Sequence, residues 1–170
     1  VEVVLRSGTS WELLQSLESL NLDVVLANMP PPADAGSAFV SHRLEEQQVS
    51  LVGVPSLFSD DDDLAALLAR VAVILPTENS GIRVGFDALA SRLGVAPKIA
   101  AEVDDMAMMR LLTRAGIGLG VLPPIVVKDE LESGRLAEAN QLPGIVETFY
   151  AVTLARRFPN PVLSELLPTD

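Results

Sequence analysis

Two periods of apolar and polar residues alternate along the chain, and their order predicts its elements. Residues 1–6 are a short β-branched run, the pattern of a strand. After Ser7-Gly8-Thr9-Ser10, Leu13, Leu14, Leu17 and Leu20 recur at helical spacing between Glu12, Gln15 and Glu18. This predicts an amphipathic helix over 11–20 with Ser10 as its cap. Residues 23–27 read as a buried strand, broken by the polar and proline-rich 28–32. Strands over 39–44 and 49–54 flank Glu45-Glu46-Gln47-Gln48. The aspartates of 60–63 precede a short helix over 64–69, as cap and dipole partners; a calcium loop would need spaced ligands and a glycine, which this run lacks. Residues 71–75 are the next buried strand, and Pro76-Thr77-Glu78-Asn79-Ser80 leads into a helix over 82–93 closed by Gly94. Next come a strand over 98–103, a helix over 106–115 capped by Asp104 or Asp105, and a strand over 117–122. A helix from Pro123-Pro124 to about Glu132, a long strand over 147–155 and a helix over 161–167 follow.

Strands alternating with helices predict an α/β fold with mainly parallel sheets. A chain of 170 residues suits one domain or two small lobes. One crossing near 68–72 and a return through 147–155 would make residues 1–70 and 151–170 the first lobe and 71–150 the second, hinged about a cleft.

Composition narrows the function classes. Hydrophobic residues make up 49% and charged residues 21%, an ordinary globular balance. No apolar run approaches the roughly 20 residues of a membrane span. Cysteine is absent, which excludes disulfides, thiolate metal sites and cysteine nucleophiles and fits a reducing compartment. The formal net charge is −11 and the arginines are scattered, so this chain is not expected to bind DNA by itself.

Catalytic chemistry lacks its parts. There is no G-x-S-x-G elbow, and His42 is the only histidine, in an alternating strand, so no triad or histidine metal site can be assembled. No cofactor or metal is expected. Gly116-Ile117-Gly118-Leu119-Gly120 resembles part of a dinucleotide fingerprint, but that motif follows a strand and opens a helix, whereas these glycines follow a helix and open a strand. A helix C-cap at Gly116 and close strand packing explain them better. Glu102, Asp104 and Asp105 could do acid–base work, yet capping accounts for them more simply. Met106 and Met109 share an apolar helix face with Leu112; core packing is the simpler reading, although a methionine beside a cleft suits an adaptable ligand site. There remain two polar loops, 7–10 and 76–80, each joining a strand end to a helix start. Open α/β sheets bind ligands beyond strand carboxyl ends, and helix starts favour a carboxylate or other small anion.

Several segments together carry a family resemblance. They are Leu5-Arg6-Ser7-Gly8-Thr9, Leu22-Asp23-Val24-Val25-Leu26, Ala115-Gly116-Ile117-Gly118-Leu119-Gly120-Val121-Leu122-Pro123, Leu131-Glu132-Ser133-Gly134-Arg135-Leu136 and Phe158-Pro159-Asn160-Pro161. In order and spacing they resemble the effector-binding domain of LysR-type transcriptional regulators, over nearly the whole chain. Ser80-Gly81-Ile82-Arg83 and Glu102-Val103-Asp104-Asp105-Met106-Ala107 resemble the branch containing activators of sodium/proton antiporter genes. The resemblance implies a two-lobed, periplasmic-binding-protein-like (type II) α/β fold with mixed sheets and a hinged cleft. It places a small-molecule effector in that cleft, with Ser7, Gly8, Thr9 and Asn28 on the first lobe's side, Thr77, Asn79 and Ser80 on the second's, and Met106 near the floor. It further implies a cytoplasmic, non-catalytic homodimer pairing through the helices at 11–20 and 82–93. DNA would be contacted only through a helix-turn-helix domain absent from this chain, and the first strand of the effector domain is expected to be missing too. A periplasmic solute-binding protein of a transporter shares the fold and is the alternative; an enzyme on this scaffold would need an acid–base constellation that the sequence does not offer.

Overall fold

The apolar runs and capping residues become a mixed α/β arrangement in the computed structural model, which describes residues 3–31, 38–59, 61–78, 80–155 and 161–167. The chain divides into two compact units, residues 1–46 with 148–170 and residues 47–147. The hydrogen-bonded strand order is β1-β6-β2-β5-β3-β4, where β1 is Val25–Ala27, β2 Phe39–Gly53, β3 Val73–Pro76, β4 Ile99–Val103, β5 Leu119–Leu122 and β6 Ala137–Leu154.

In the first unit, helix α1 (Ser10–Glu18) buries Leu17 against Val25 of β1 and Val152 of β6, with Leu13, Leu14, Leu22, Phe39 and Tyr150 around them. β1 runs antiparallel to β6, Val25 opposite Val152 and Ala27 opposite Tyr150. Helix α6 (Pro161–Leu166) follows.

In the second unit, β3 is parallel to both β4 and β5, while the end of β2 runs antiparallel to β5 with Ser50 opposite Leu122. Alternate strand residues point to opposite faces, and both faces are apolar. Val73 and Leu75 join Val49, Leu51, Leu119 and Val121 beneath α2 (Leu64–Arg70) and α3 (Gly81–Leu93). Ile74 joins Val52 and Leu122 beneath α4 (Met106–Arg114), with Met109, Val127 and Leu136. A sheet covered on both faces needs near-continuous apolar strands, which is why 73–76 and 119–122 read as unbroken hydrophobic runs.

Some expectations change. Residues 3–6 form no strand, and Val3, Val4 and Leu5 are exposed; a β-branched run has no ladder to join without a partner strand. Residues 39–53 are one strand, because the polar stretch 45–48 continues it with side chains that are exposed or half-buried. β6 begins at Ala137 despite Pro143 and Gly144. Gly144 takes φ +76°, and the Gln48 side chain donates to the carbonyls of Leu142 at 2.6 Å and Ile145 at 2.9 Å, on either side of the irregularity. The helix expected over 123–132 is a 3₁₀ turn, Pro124–Val127, followed by α5 (Lys128–Glu132). The division between units falls after Glu46 rather than near Arg70, since Val49, Leu51, Leu67 and Leu68 pack in one cluster with β3 and α3.

Candidate functional site

The parallel strands β3 and β4 end side by side, Pro76 opposite Val103. The Thr77 N–H donates to the Val103 carbonyl at 3.2 Å, extending the pairing one residue past the strand. Ser80 then caps α3, its hydroxyl accepting from the Ile82 N–H at 3.2 Å, and its own N–H donates to the Thr77 carbonyl at 3.0 Å. On the neighbouring strand end Asp105 caps α4, accepting from the Met108 N–H at 2.7 Å. Met106 follows, half-buried and touching both apolar clusters. Thr77, Ser80 and Met106 are thus brought to one end of the second unit's sheet, at strand carboxyl ends and helix starts. Asn79 lies outside the described residues. Among the described residues the half-buried Thr77 hydroxyl has no partner.

Arg83, which the sequence offered only as a scattered charge and as part of the Ser80-Gly81-Ile82-Arg83 resemblance, sits beneath this loop. The inward face of α3 is otherwise apolar (Ile82, Phe86, Leu89 and Ala90). Its side chain is 9% exposed; Nε lies 3.1 and 2.9 Å from the two Asp87 oxygens and Nη1 3.0 Å from Glu102 Oε1 and 3.4 Å from the Pro76 carbonyl. Burial opposes its charge, but the hydrogen bonds and charges of Glu102 and Asp87 outweigh it and hold the guanidinium above its ordinary pKa. An arginine among inward-facing apolar positions was the signal that could have found it, because arginine is almost never fully buried without a partner.

In the first unit, Ser7, Gly8 and Thr9 are exposed ahead of α1. Thr9, not Ser10, is the N-cap: its hydroxyl accepts from the Glu12 N–H at 3.3 Å and donates to Glu12 Oε2 at 2.8 Å, and its N–H donates to the same oxygen at 2.9 Å. The backbone and side-chain hydrogen bonds from Thr9 hold the Glu12 carboxyl below its usual pKa. Asn28 directly follows β1 and is exposed.

Among the described residues this is donor and acceptor chemistry, with no nucleophile–base pair. His42 lies within 3.3 Å of Thr153 on the neighbouring strand. Among the described residues no group of three or more His, Asp or Glu could hold a metal, and no helix is long and apolar enough to cross a membrane. The glycine run is structural: Gly116 takes φ +70° after α4, and a Cβ on Gly118 would lie 2.5 Å from the Ala72 carbonyl oxygen.

Comparison with known proteins places this geometry. The family model described as LysR substrate binding domain matches residues 1–168. The HTH-type transcriptional regulator CbbR of Xanthobacter flavus is 26% identical over 155 residues, 89% of this chain, and this chain spans 46% of that protein's length. CbnR, a LysR family transcriptional regulator, superposes with a TM-score of 0.71 at 19% identity over 92% of this chain and 54% of its own. The effector-binding domain of QuiR in complex with shikimate does so at 0.64, also at 19% identity, over 92% of this chain and 74% of its own.

Proposed function

The chain belongs to the LysR substrate binding domain family, and from this premise we propose that it is the effector-sensing domain of a LysR-type transcriptional regulator. The single observation that carries the reading is the family match across residues 1–168. The same match favours a regulator over the solute-binding protein of a transporter. We assign the domain a small-molecule effector, a carboxylate or other small anion. In the second unit its contacts are Thr77, Asn79 and Ser80, with Met106 as an apolar contact; in the first unit Ser7, Gly8, Thr9 and Asn28 are the candidate contacts. The loop that joins the end of β3 to the start of α3 supports this choice, since N–H groups of the first helical turn and the positive end of the dipole meet an anion there. No turnover, cofactor or metal enters the mechanism, and the protein acts in the cytoplasm. The domain pairs as a homodimer through α1 and α3, whose Trp11 and Val84 are exposed, with the exposed Leu20 just past the end of α1.

Effector binding works by linkage. A molecule that prefers one conformation shifts the population toward it, and DNA contacts made by a helix-turn-helix segment outside this chain change affinity by the same coupling. The test is a gel-shift titration of the full-length gene product on its own promoter, with and without a molecule that stabilises this domain. The expected change in apparent affinity is about 5- to 150-fold. Unchanged affinity with every stabilising molecule would overturn the regulatory reading.

A further inference from the structure

We propose that Arg83 is a positioning residue for the effector loop: one guanidinium ties the end of β3 to the end of β4 and to α3, and so fixes the main chain that presents Thr77 and Ser80. This rests on the effector reading above for its functional meaning, but its geometry stands alone. The loop leaves the sheet at Pro76, whose carbonyl accepts from Arg83 Nη1 at 3.4 Å. The same nitrogen holds Glu102, the penultimate residue of β4, at 3.0 Å. Nε holds Asp87, one turn along α3, through both carboxylate oxygens. Three elements that bound the loop are therefore fastened through one planar group, which an arginine fork can do and a point-charged lysine cannot.

Stability alone does not account for this residue. A buried ion pair is frequently no better than an apolar side chain of the same volume, and the large penalty for breaking one comes from stranding a buried charge. Here the partners are not stranded by the loss of Arg83: the Asp87 side chain is 57% exposed and that of Glu102 41%, so water solvates both. An apolar replacement in this inward-facing position should leave the core intact while it frees the loop.

The experiment is residue-resolved amide hydrogen exchange on the wild-type chain and on Arg83→Met, Arg83→Lys and Glu102→Gln, with no effector present. Failure of the effector reading would leave the result untouched. In Arg83→Met the amides of Thr77 and Ser80 should exchange about tenfold faster, the scale of one lost charge-assisted hydrogen bond. Core amides such as Leu89 and Val121 should keep wild-type rates. Arg83→Lys should recover part of the protection, and Glu102→Gln should loosen the same two amides selectively even if Arg83→Met does not fold. Wild-type protection of Thr77 and Ser80 in both Arg83→Met and Glu102→Gln would overturn the proposal. Equal acceleration of loop and core in the folded variants would do so as well, since that is the signature of a merely structural role.

Discussion

At the scale of single residues, the helix starts were legible and the buried charges were not. Asp63, Ser80 and Asp105 each cap the helix that the sequence assigned to their neighbourhood, because a short polar side chain ahead of an apolar period has few other uses. The cap of α1 moved from Ser10 to Thr9, since Thr9 places Glu12 at the third helical position and completes a reciprocal pair of bonds. Ser80→Ala should lower unfolding free energy by about 1 kcal/mol in urea denaturation. Glu130, by contrast, gave no warning in the sequence. It is buried on α5, with Oε1 2.9 Å from Arg110 Nε and 3.4 Å from Arg114 Nε. Burial pushes its pKa up, but the hydrogen bond from Arg110 and the nearby arginine charges prevail and hold the carboxyl below its ordinary value. A carboxyl depressed in the folded state stabilises it above the unfolded pKa, and that contribution is lost as pH falls through the folded one. Wild type should therefore exceed Glu130→Gln in stability by about 2 kcal/mol at neutral pH, and denaturation curves should show the gap closing in acid. A gap that widens on acidification would reverse the sign of this account.

At the scale of elements, period and punctuation identified β3, β4, β5, α3 and α4 of the second unit, while Pro143 and Gly144 hid the first half of β6. A local pattern treats proline and glycine as breakers; Gln48, far away in sequence, supplies the side chain that satisfies the carbonyls there. The polar 45–48 stretch misled in the same way, because strand continuity is set by pairing as well as by hydropathy. Gly118 and Gly120 were rightly read as packing glycines. A Cβ at 120 would stand 2.4 Å from Thr113 Oγ1, just as one at 118 meets the Ala72 backbone. Gly118→Ala should cost about 1–3 kcal/mol, the range for overpacking. Gly81→Ala, with open space around it at the first residue of α3, should be neutral or slightly stabilising in the same thermal unfolding series. Equal losses at both positions would mean that backbone freedom, not close approach, decides them.

At the scale of the whole molecule, alternation of strand and helix announced the α/β class, and the ordered segments from Leu5 to Pro161 announced the family. The boundary after Glu46 was not legible, because the allegiance of residues 47–70 is decided by which cluster Leu67 and Leu68 enter. Net charge makes its own prediction: at −11 this chain should not retard DNA in a low-salt gel shift, and retardation would show a basic surface that the charge balance does not provide. The candidate site was half legible, with Thr77 and Ser80 readable as a polar strand-end loop and Arg83 hidden among apolar helix positions. Calorimetry measures effector binding at that loop. A panel of small carboxylates is titrated into the wild-type chain and Thr77→Val, a change that keeps the shape and removes the hydroxyl. A carboxylate bound by wild type should bind Thr77→Val about tenfold or more weakly, for about 1.5–3 kcal/mol of lost hydrogen bond to a charged group, with unfolding unchanged; equal affinity in both proteins would mean that the Thr77 hydroxyl does not touch the effector.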